Sequence, residues 1–382
     1  MLAANSKDVT NLSLLRSVSM TVGLLGCGVV GGGVAARLLG TESLLGVPVR
    51  LARVLVRDIH KPRQPEAVVP HLTIEPSDVL GDPDVNVVVE AIGGIEPART
   101  FVEAALRAGK HVVTANKALI GEHGAALSVL AQQHHAALRY EASVAGAVPI
   151  VRTLAEILSA EDVVEIAGVL NGTSNFVVQA MREGGTLDDA VRRAQEAGYA
   201  EIDPSDDLDG VDAARKLAVL APLAFRKRIG PEQIARTSLR TLTPGDFSAA
   251  HASGAAIVPL ALLRRSGARL EALVSPVLVP ADHAFARLRG PENVLRVLGT
   301  HSGALHFSGH GAGRSATASA VLSDLAEIAR RRARWQAQSL APIDFKEVTP
   351  RLPQLSREGN LATFEFRVES REDGTATFRS AR

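Results

Sequence analysis

Asp212 and Lys216 stand four residues apart in the segment DPSDDLDGVDAARK (203–216), which places five aspartates in ten residues and ends on Arg215 and Lys216. On a helix that spacing puts both side chains on one face, with Asp209 beside them. Leu208, Val211 and Ala218 fall on a neighbouring stripe that can be buried. A lysine held in such a cleft can transfer protons: burial lowers its pKa, while a nearby aspartate keeps it charged. Two plainer readings compete with this one. Acidic residues ahead of an apolar helix act as caps and suit the helix dipole, which explains two or three of the aspartates. A calcium loop would align Gly210 with its invariant glycine and use Ser205, Asp207 and Asp209, but its twelfth position, where a bidentate glutamate is required, falls on Lys216. The calcium reading fails there.

A second chemical signal is GCGVVG (26–31), which follows an apolar run and opens a helical pattern. Gly26 permits a tight turn, Gly28 lets the backbone approach a pyrophosphate, and Gly31 allows close helix–strand contact. The helix start offers free N–H groups to the phosphates. Further on, Arg57 and Asp58 are followed by Lys61 and Arg63. An acid in this region would hold the ribose hydroxyls of NAD, and an arginine would accept the extra phosphate of NADP. The basic residues tilt the expectation towards NADP, and Asp58 keeps NAD open. Lys117, in TANK, starts a helix after a strand end, where ligands sit in open α/β sheets. It competes with Lys216 for the proton-transfer role.

The elements that must position these residues follow a βαβ rhythm from Thr21 onward. Strands are expected at 21–26, 49–57, 85–92, 111–116 and 137–144, with helices at 29–39, 96–109 and 117–134 between them. After VAGAVP (144–149) the pattern changes. A helix near 150–158 precedes a strand over 162–170, the segment NGTSNF and two helices up to Gly198. Strand-like pieces between about 235 and 308 imply a mixed sheet, and 316–332 reads as an amphipathic helix. The fold class is therefore α/β: a Rossmann-type domain over 21–145 with a returning helix at 316–335, and a mixed α+β domain over 146–315. A polar extension (1–20) precedes them and a tail (336–382) follows.

The bulk numbers narrow the function classes. Hydrophobic residues make up 46% of the 382-residue chain, enough for buried cores. A net charge of +1 gives no reason to expect nucleic acid or an anionic membrane as partner. The single cysteine, Cys27, excludes a disulfide framework and a cysteine-based zinc site. That cysteine usage makes a reducing, cytoplasmic setting the simplest reading; the N-terminus lacks the pattern of a signal peptide, and no apolar run is long enough to span a membrane. The histidines are scattered, which points to surface or core positions.

Taken in order, GLLGCGVVGGGV (23–34), VTANKALI (113–120), YEASVAGAVPIVR (140–152), GVLNGTSNF (168–176), AGYAEIDPSDDLDGVDAARKLAVLA (197–221) and GHGAGRSATASAVLSDL (309–325) resemble the homoserine dehydrogenases. The resemblance implies NAD(P)-dependent interconversion of L-aspartate 4-semialdehyde and L-homoserine, on the route to threonine and methionine, by a homodimer. It implies that Lys117, Lys216 and Asp212 belong to the catalytic centre, and that Glu201, Asp207, Thr173, Gly172 and Tyr199 face the substrate. For the cofactor it implies Gly26, Gly28, Val29, Val30, Gly31, Arg57, Asn116, Lys117 and Gly313. It also implies a monovalent cation, Na+ or K+, at Glu141, Val144, Gly146 and Val148; an irregular loop near a cleft is the plainer reading of that stretch.

The sequence departs from the family pattern in places. Ala316 stands where relatives often carry proline and His310 where proline or glutamate is usual, and no intact regulatory ACT domain is expected in the short tail. Two rival functions follow from the residues. A cofactor-binding sensor without turnover would need neither lysine, and a dehydrogenase of another small hydroxy or amino acid need not keep NGTSN or the GYAE–DAARK block.

Overall fold

A computed structural model describes residues 19–44, 47–62 and 71–332, and the backbone of five short strands beyond them. The remainder of the 1–20 extension, Arg63, and most of the 336–382 tail lie outside the described residues. The chain divides into two compact units, Met1–Ala147 with Gly313–Asp344, and Val148–Ala312 with Phe345–Arg382.

The first unit is a six-strand path with a short seventh strand at its side. Its strands are β1 (Met20–Leu25), β2 (Ser43–Leu44), β3 (Val47–Leu55), β4 (Leu72–Thr73), β5 (Val87–Glu90), β6 (His111–Thr114) and β7 (Leu138–Arg139). They lie in the order β2-β3-β1-β5-β6-β7, with β4 paired to β3. All pairings are parallel except the β2–β3 hairpin. Every residue of β1 is buried, as a central strand covered on both faces requires. The helices are α1 (Val29–Leu39), the short α2 (Ser77–Leu80), α3 (Ala98–Arg107), α4 (Lys117–Gln133) and, from the end of the chain, α10 (Arg314–Arg332). Because β1 connects onward to β3 on one side while β5 lies on its other side, the strand order reverses between β1 and β5. That is the crevice where open α/β sheets take their ligands.

Helix α10 contributes Ala318, Val321, Leu325 and Ile328 to the same core as Val22, Val34 and Val87. Its first turn crosses α1 at Gly33, where an added Cβ would stand 2.8 Å from the Arg314 carbonyl oxygen. Only a glycine lets the two helices approach so closely.

The second unit is built on β8 (Val163–Val169), β11 (Ala255–Ser266), β12 (Arg269–Pro280), β13 (Glu292–Gly299) and β14 (Gly303–His310), in the order β14-β13-β8-β11-β12. These neighbours are antiparallel. The two-residue strands β9 (Lys227–Arg228) and β10 (Ala235–Arg236) and five late strands, β15 (Lys346–Glu347), β16 (Ser356–Glu358), β17 (Leu361–Thr363), β18 (Arg367–Ser370) and β19 (Ala376–Arg379), complete the inventory. Parallel pairing of β10 and of β17 to β12 makes the sheet mixed. Helices α5 (Gly172–Arg182), α6 (Leu187–Glu196), α7 (Ser205–Leu208), α8 (Val211–Phe225) and α9 (Pro244–Ala252) belong here. Val177, Met181, Ala190, Leu208, Phe247 and Ile257 form a core shared by α5, α6, α7 and α9 with β11.

Several boundaries differ from the sequence reading, for local reasons. The second strand ends at Leu55, so Arg57 lies beyond it. The expected strand over 137–144 is only two residues long and passes into a 3₁₀ turn at Glu141–Ser143. The helix expected near 150–158 is a π-helical turn over Thr153–Ile157. Of the strand-like patch 364–370, Arg367–Ser370 is extended and the rest lies outside the described residues.

Candidate active site

The end of β8 passes into Leu170 and Asn171, and α5 starts at Gly172. Asn171 is the N-cap of that helix: its Oδ1 accepts from the Ser174 N–H at 2.7 Å. Its Nδ2 donates to Asp207 Oδ1 at 2.6 Å and to Asp212 Oδ2 at 2.8 Å. One amide thus fixes a helix start and two carboxylates. Asp212 lies in the first turn of α8 and Lys216 one turn on, and the i,i+4 spacing brings Lys216 Nζ to 2.7 Å from Asp212 Oδ2. Both side chains are about nine-tenths buried, at 9% and 10% exposure. Lys216 Nζ also donates to the Leu170 carbonyl at 2.6 Å. Asn293 Nδ2 donates to that same carbonyl at 2.9 Å.

Two of the three Lys216 N–H directions are therefore committed, leaving a third for an oxygen. Asp207 accepts from Asn171 and sits close to both Asp212 and Lys216. Burial pushes its carboxyl above the ordinary aspartate range and the Asp212 charge adds to this, while the Asn171 hydrogen bond and the Lys216 charge pull it back.

The five aspartates have five different environments. Asp203 accepts from the backbone and hydroxyl of Ser205 at 3.1 and 2.6 Å, a local turn. Asp206 pairs with Arg215. Asp209 does not stand beside Lys216: it accepts from Ser238 at 2.6 Å and from Arg240 at 3.3 Å. The cause is Gly210, whose left-handed φ of 71° separates α7 from α8 and takes Asp209 off the helical face.

Gly172 has a packing reason, since a Cβ there would meet the Pro291 carbonyl oxygen at 2.8 Å. Thr173 donates its hydroxyl to the Tyr199 carbonyl at 2.7 Å. Tyr199 is 42% exposed, with its ring 5.2 Å from that of Phe176. Glu201 is exposed, and its carbonyl accepts from Gln195 at 3.1 Å. The structure does not draw its carboxylate into the Asn171 network.

In the first unit, Gly26 has φ 92° and a Cβ on it would stand 2.7 Å from the Ala91 carbonyl oxygen. A Cβ on Gly31 would stand 2.0 Å from the Gly26 carbonyl oxygen. Gly28 is different: nothing lies within 4 Å of a Cβ built there, so the fold itself does not require glycine. That open space at a helix start is where a pyrophosphate would lie, so these residues fit a dinucleotide. Val29 is 70% exposed at the same helix start, beside the half-buried Val30. Arg57 is exposed, and Asp58 Oδ1 accepts from the His60 N–H at 2.8 Å.

Lys117 opens α4 next to its N-cap Asn116, whose Oδ1 accepts from the Leu119 N–H at 3.1 Å. Gly313, with φ 108°, precedes α10. Glu141 is buried at 4% exposure, Ala145 and Gly146 are left-handed at φ 54° and 53°, and Val144 and Gly146 belong to the first unit while Val148 begins the second. Lys117 and Lys216 likewise belong to different units.

Asn171, Ser174 and Asn293 are the residues a reading by charge overlooks. The first had a signal, an asparagine directly ahead of Gly-Thr-Ser at a strand–helix junction. Asn293 had none, because its link to Lys216 runs through a carbonyl 123 positions away in the chain.

A switch-point glycine loop in one unit and a buried lysine–carboxylate centre in the other define a nicotinamide-dependent oxidoreductase. The profile described as homoserine dehydrogenase matches residues 149–326, and that of the homoserine dehydrogenase NAD-binding domain matches 26–141. The chain is 38% identical over 315 residues to a homoserine dehydrogenase of Bacillus subtilis, covering 81% of this chain and 73% of that one. For the enzyme of Corynebacterium glutamicum the identity is 38% over 348 residues, with 86% and 78% covered. The crystal structure of a homoserine dehydrogenase from Thiobacillus denitrificans superposes with a TM-score of 0.81 at 38% identity, covering 86% of this chain and 77% of that one. The chain belongs to the homoserine dehydrogenase family.

Proposed function

We propose that the protein interconverts L-aspartate 4-semialdehyde and L-homoserine with Lys216 as the group that holds and moves the proton. The observation that carries this is the buried Asp212–Lys216 pair, tied through Asn171 to Asp207. A bound nicotinamide dinucleotide supplies the hydride acceptor or donor. Reduction of an aldehyde leaves an alkoxide, which needs a proton from a nearby acid. Lys216 has one N–H direction left for that oxygen, and Asp212 and the Leu170 carbonyl fix the direction. Asp207, with Glu201 and Tyr199 on the preceding loop, would receive the substrate's ammonium or hydroxyl, and Gly172 and Thr173 would border it. Lys117 at the start of α4 is the second candidate for the proton, and both lysines are needed in this reading.

Gly26, Gly28, Val29, Val30 and Gly31 would hold the dinucleotide, with Asn116, Lys117 and Gly313. The exposed Arg57 supports NADP over NAD, because Asp58 is engaged by the turn at His60. The buried Glu141 supports a monovalent cation, Na+ or K+, at its loop. A homodimer in the cytoplasm completes the reading.

The test is oxidation of L-homoserine by purified protein at alkaline pH, with NADP and NAD in parallel and with added KCl or NaCl. Turnover with NADP above NAD is expected. Cofactor binding without any oxidation would sink the enzymatic reading in favour of a sensor.

A further inference from the structure

Glu90 ends β5 and is fully buried, at 0% exposure. It lies opposite Thr114 across the parallel β5–β6 ladder and opposite Leu25 across β1. Its Oε1 accepts from the Ile92 N–H at 2.7 Å and from the Gly93 N–H at 3.1 Å, and its Oε2 accepts from the Thr114 hydroxyl. Thr114 Oγ1 in turn accepts from the Asn116 N–H at 3.0 Å, and Asn116 Nδ2 donates to the Gly94 carbonyl at 2.6 Å. The circuit closes: Glu90, the loop 92–94, Asn116 and Thr114 hold one another. Asn116 also caps α4, whose first residue is Lys117. The same loop adjoins the glycine turn, since Ala91 supplies the carbonyl that forbids a side chain on Gly26.

Burying a carboxylate is costly unless donors meet it. Among the described residues the donors to Glu90 are N–H and O–H dipoles, with no lysine, arginine or histidine paired to it. No paired cation therefore offsets a carboxylate at the carboxyl ends of β5 and β6, beside the β1/β5 crevice. A neutral glutamine of the same shape could satisfy the same loop, so geometry alone does not call for an acid.

We propose that Glu90 is a positioning residue of the cofactor site whose charge discriminates the two redox forms of the nicotinamide. Its hydrogen bonds shape loop 92–94 and the start of α4. Its charge favours the oxidised form, a pyridinium cation, over the reduced form, a neutral ring. This rests on the reading that a nicotinamide dinucleotide binds at the β1/β5 crevice.

The experiment measures dissociation constants of full-length protein for NADP+ and NADPH, together with hydrogen exchange over residues 91–95. Glu90→Gln should weaken the oxidised form roughly three- to tenfold relative to the reduced form, as expected for a unit charge at intermediate effective dielectric. Exchange over 91–95 should stay slow. Thr114→Val keeps the charge and breaks the circuit, so both forms should weaken alike and exchange should quicken. An unchanged affinity ratio in Glu90→Gln overturns the charge role. Unchanged affinity and exchange in Thr114→Val overturn the positioning role, even if the glutamine variant does not fold. Wild-type protein that binds neither form overturns the cofactor reading itself, and this inference with it.

Discussion

Asn171 divides its side chain among three partners, so at the scale of single residues the site is a set of shared atoms rather than separate groups. Lys216 and Asn293 share the Leu170 carbonyl in the same way. Replacing one member therefore disturbs its neighbours as well as its own contact. Lys216→Ala removes the proposed proton-transfer group, and kcat for homoserine oxidation should fall by about 10²-fold or more. Cofactor affinity should hold within about twofold, because the glycine loop is untouched; isothermal titration alongside turnover checks both. Asp207 supplies a pH prediction. Burial and the Asp212 charge raise its carboxyl above the ordinary aspartate range, so it takes up its proton at a higher pH than an exposed aspartate would. If it binds substrate as an anion, kcat/KM should fall as the pH drops through that raised value. Profiles of kcat/KM against pH should lose this acid limb in Asp207→Asn, at a lower plateau. A limb unchanged in the variant would assign it to another group.

At the scale of elements the glycine loop can be tested with two alanines that separate folding from binding. Gly31→Ala puts a Cβ 2.0 Å from the backbone oxygen of Gly26, and backbone cannot move aside cheaply. It should destabilise the first unit by about 1–3 kcal/mol and weaken cofactor binding together with it. Gly28→Ala meets nothing within 4 Å and sits at φ −83°. It should melt like the wild type yet bind cofactor at least about tenfold more weakly, because the methyl group would occupy the space proposed for the pyrophosphate. Equal melting losses in the two variants would remove the distinction. The strand–helix alternation and this loop were legible in the sequence because buried parallel strands are continuous β-branched runs and the glycines mark the turn. The spacing of Asp212 and Lys216 was legible for the same kind of reason, since a helix has a fixed period. Asp209 was misplaced because period alone does not reveal that Gly210 interrupts the helix. The Asn171 network and Asn293 were illegible because they join residues 36 to 123 positions apart, and long-range pairing leaves no local pattern.

For the whole molecule, each compact unit is assembled from separated pieces of chain, and the first takes α10 from beyond the second. The glycine loop therefore depends on residues that follow it by almost three hundred positions. Leu325 is fully buried among Val22, Val34 and Val87, and Leu325→Ala should cost about 2–5 kcal/mol through lost burial and the cavity left behind. That loss belongs to the core under β1 and α1. Hydrogen exchange should accordingly quicken over 20–39 and 87–90, and cofactor should bind more weakly, although no residue of the loop has changed. The Asp212–Lys216 centre lies on α8 in the second unit, which has its own core formed by α5, α6, α7 and α9 with β11. Exchange over 211–225 should stay at the wild-type rate if the two units open independently. Parallel loss of protection in both segments would instead show that they unfold as one cooperative body, and added cofactor would then protect the lysine centre as well as its own loop.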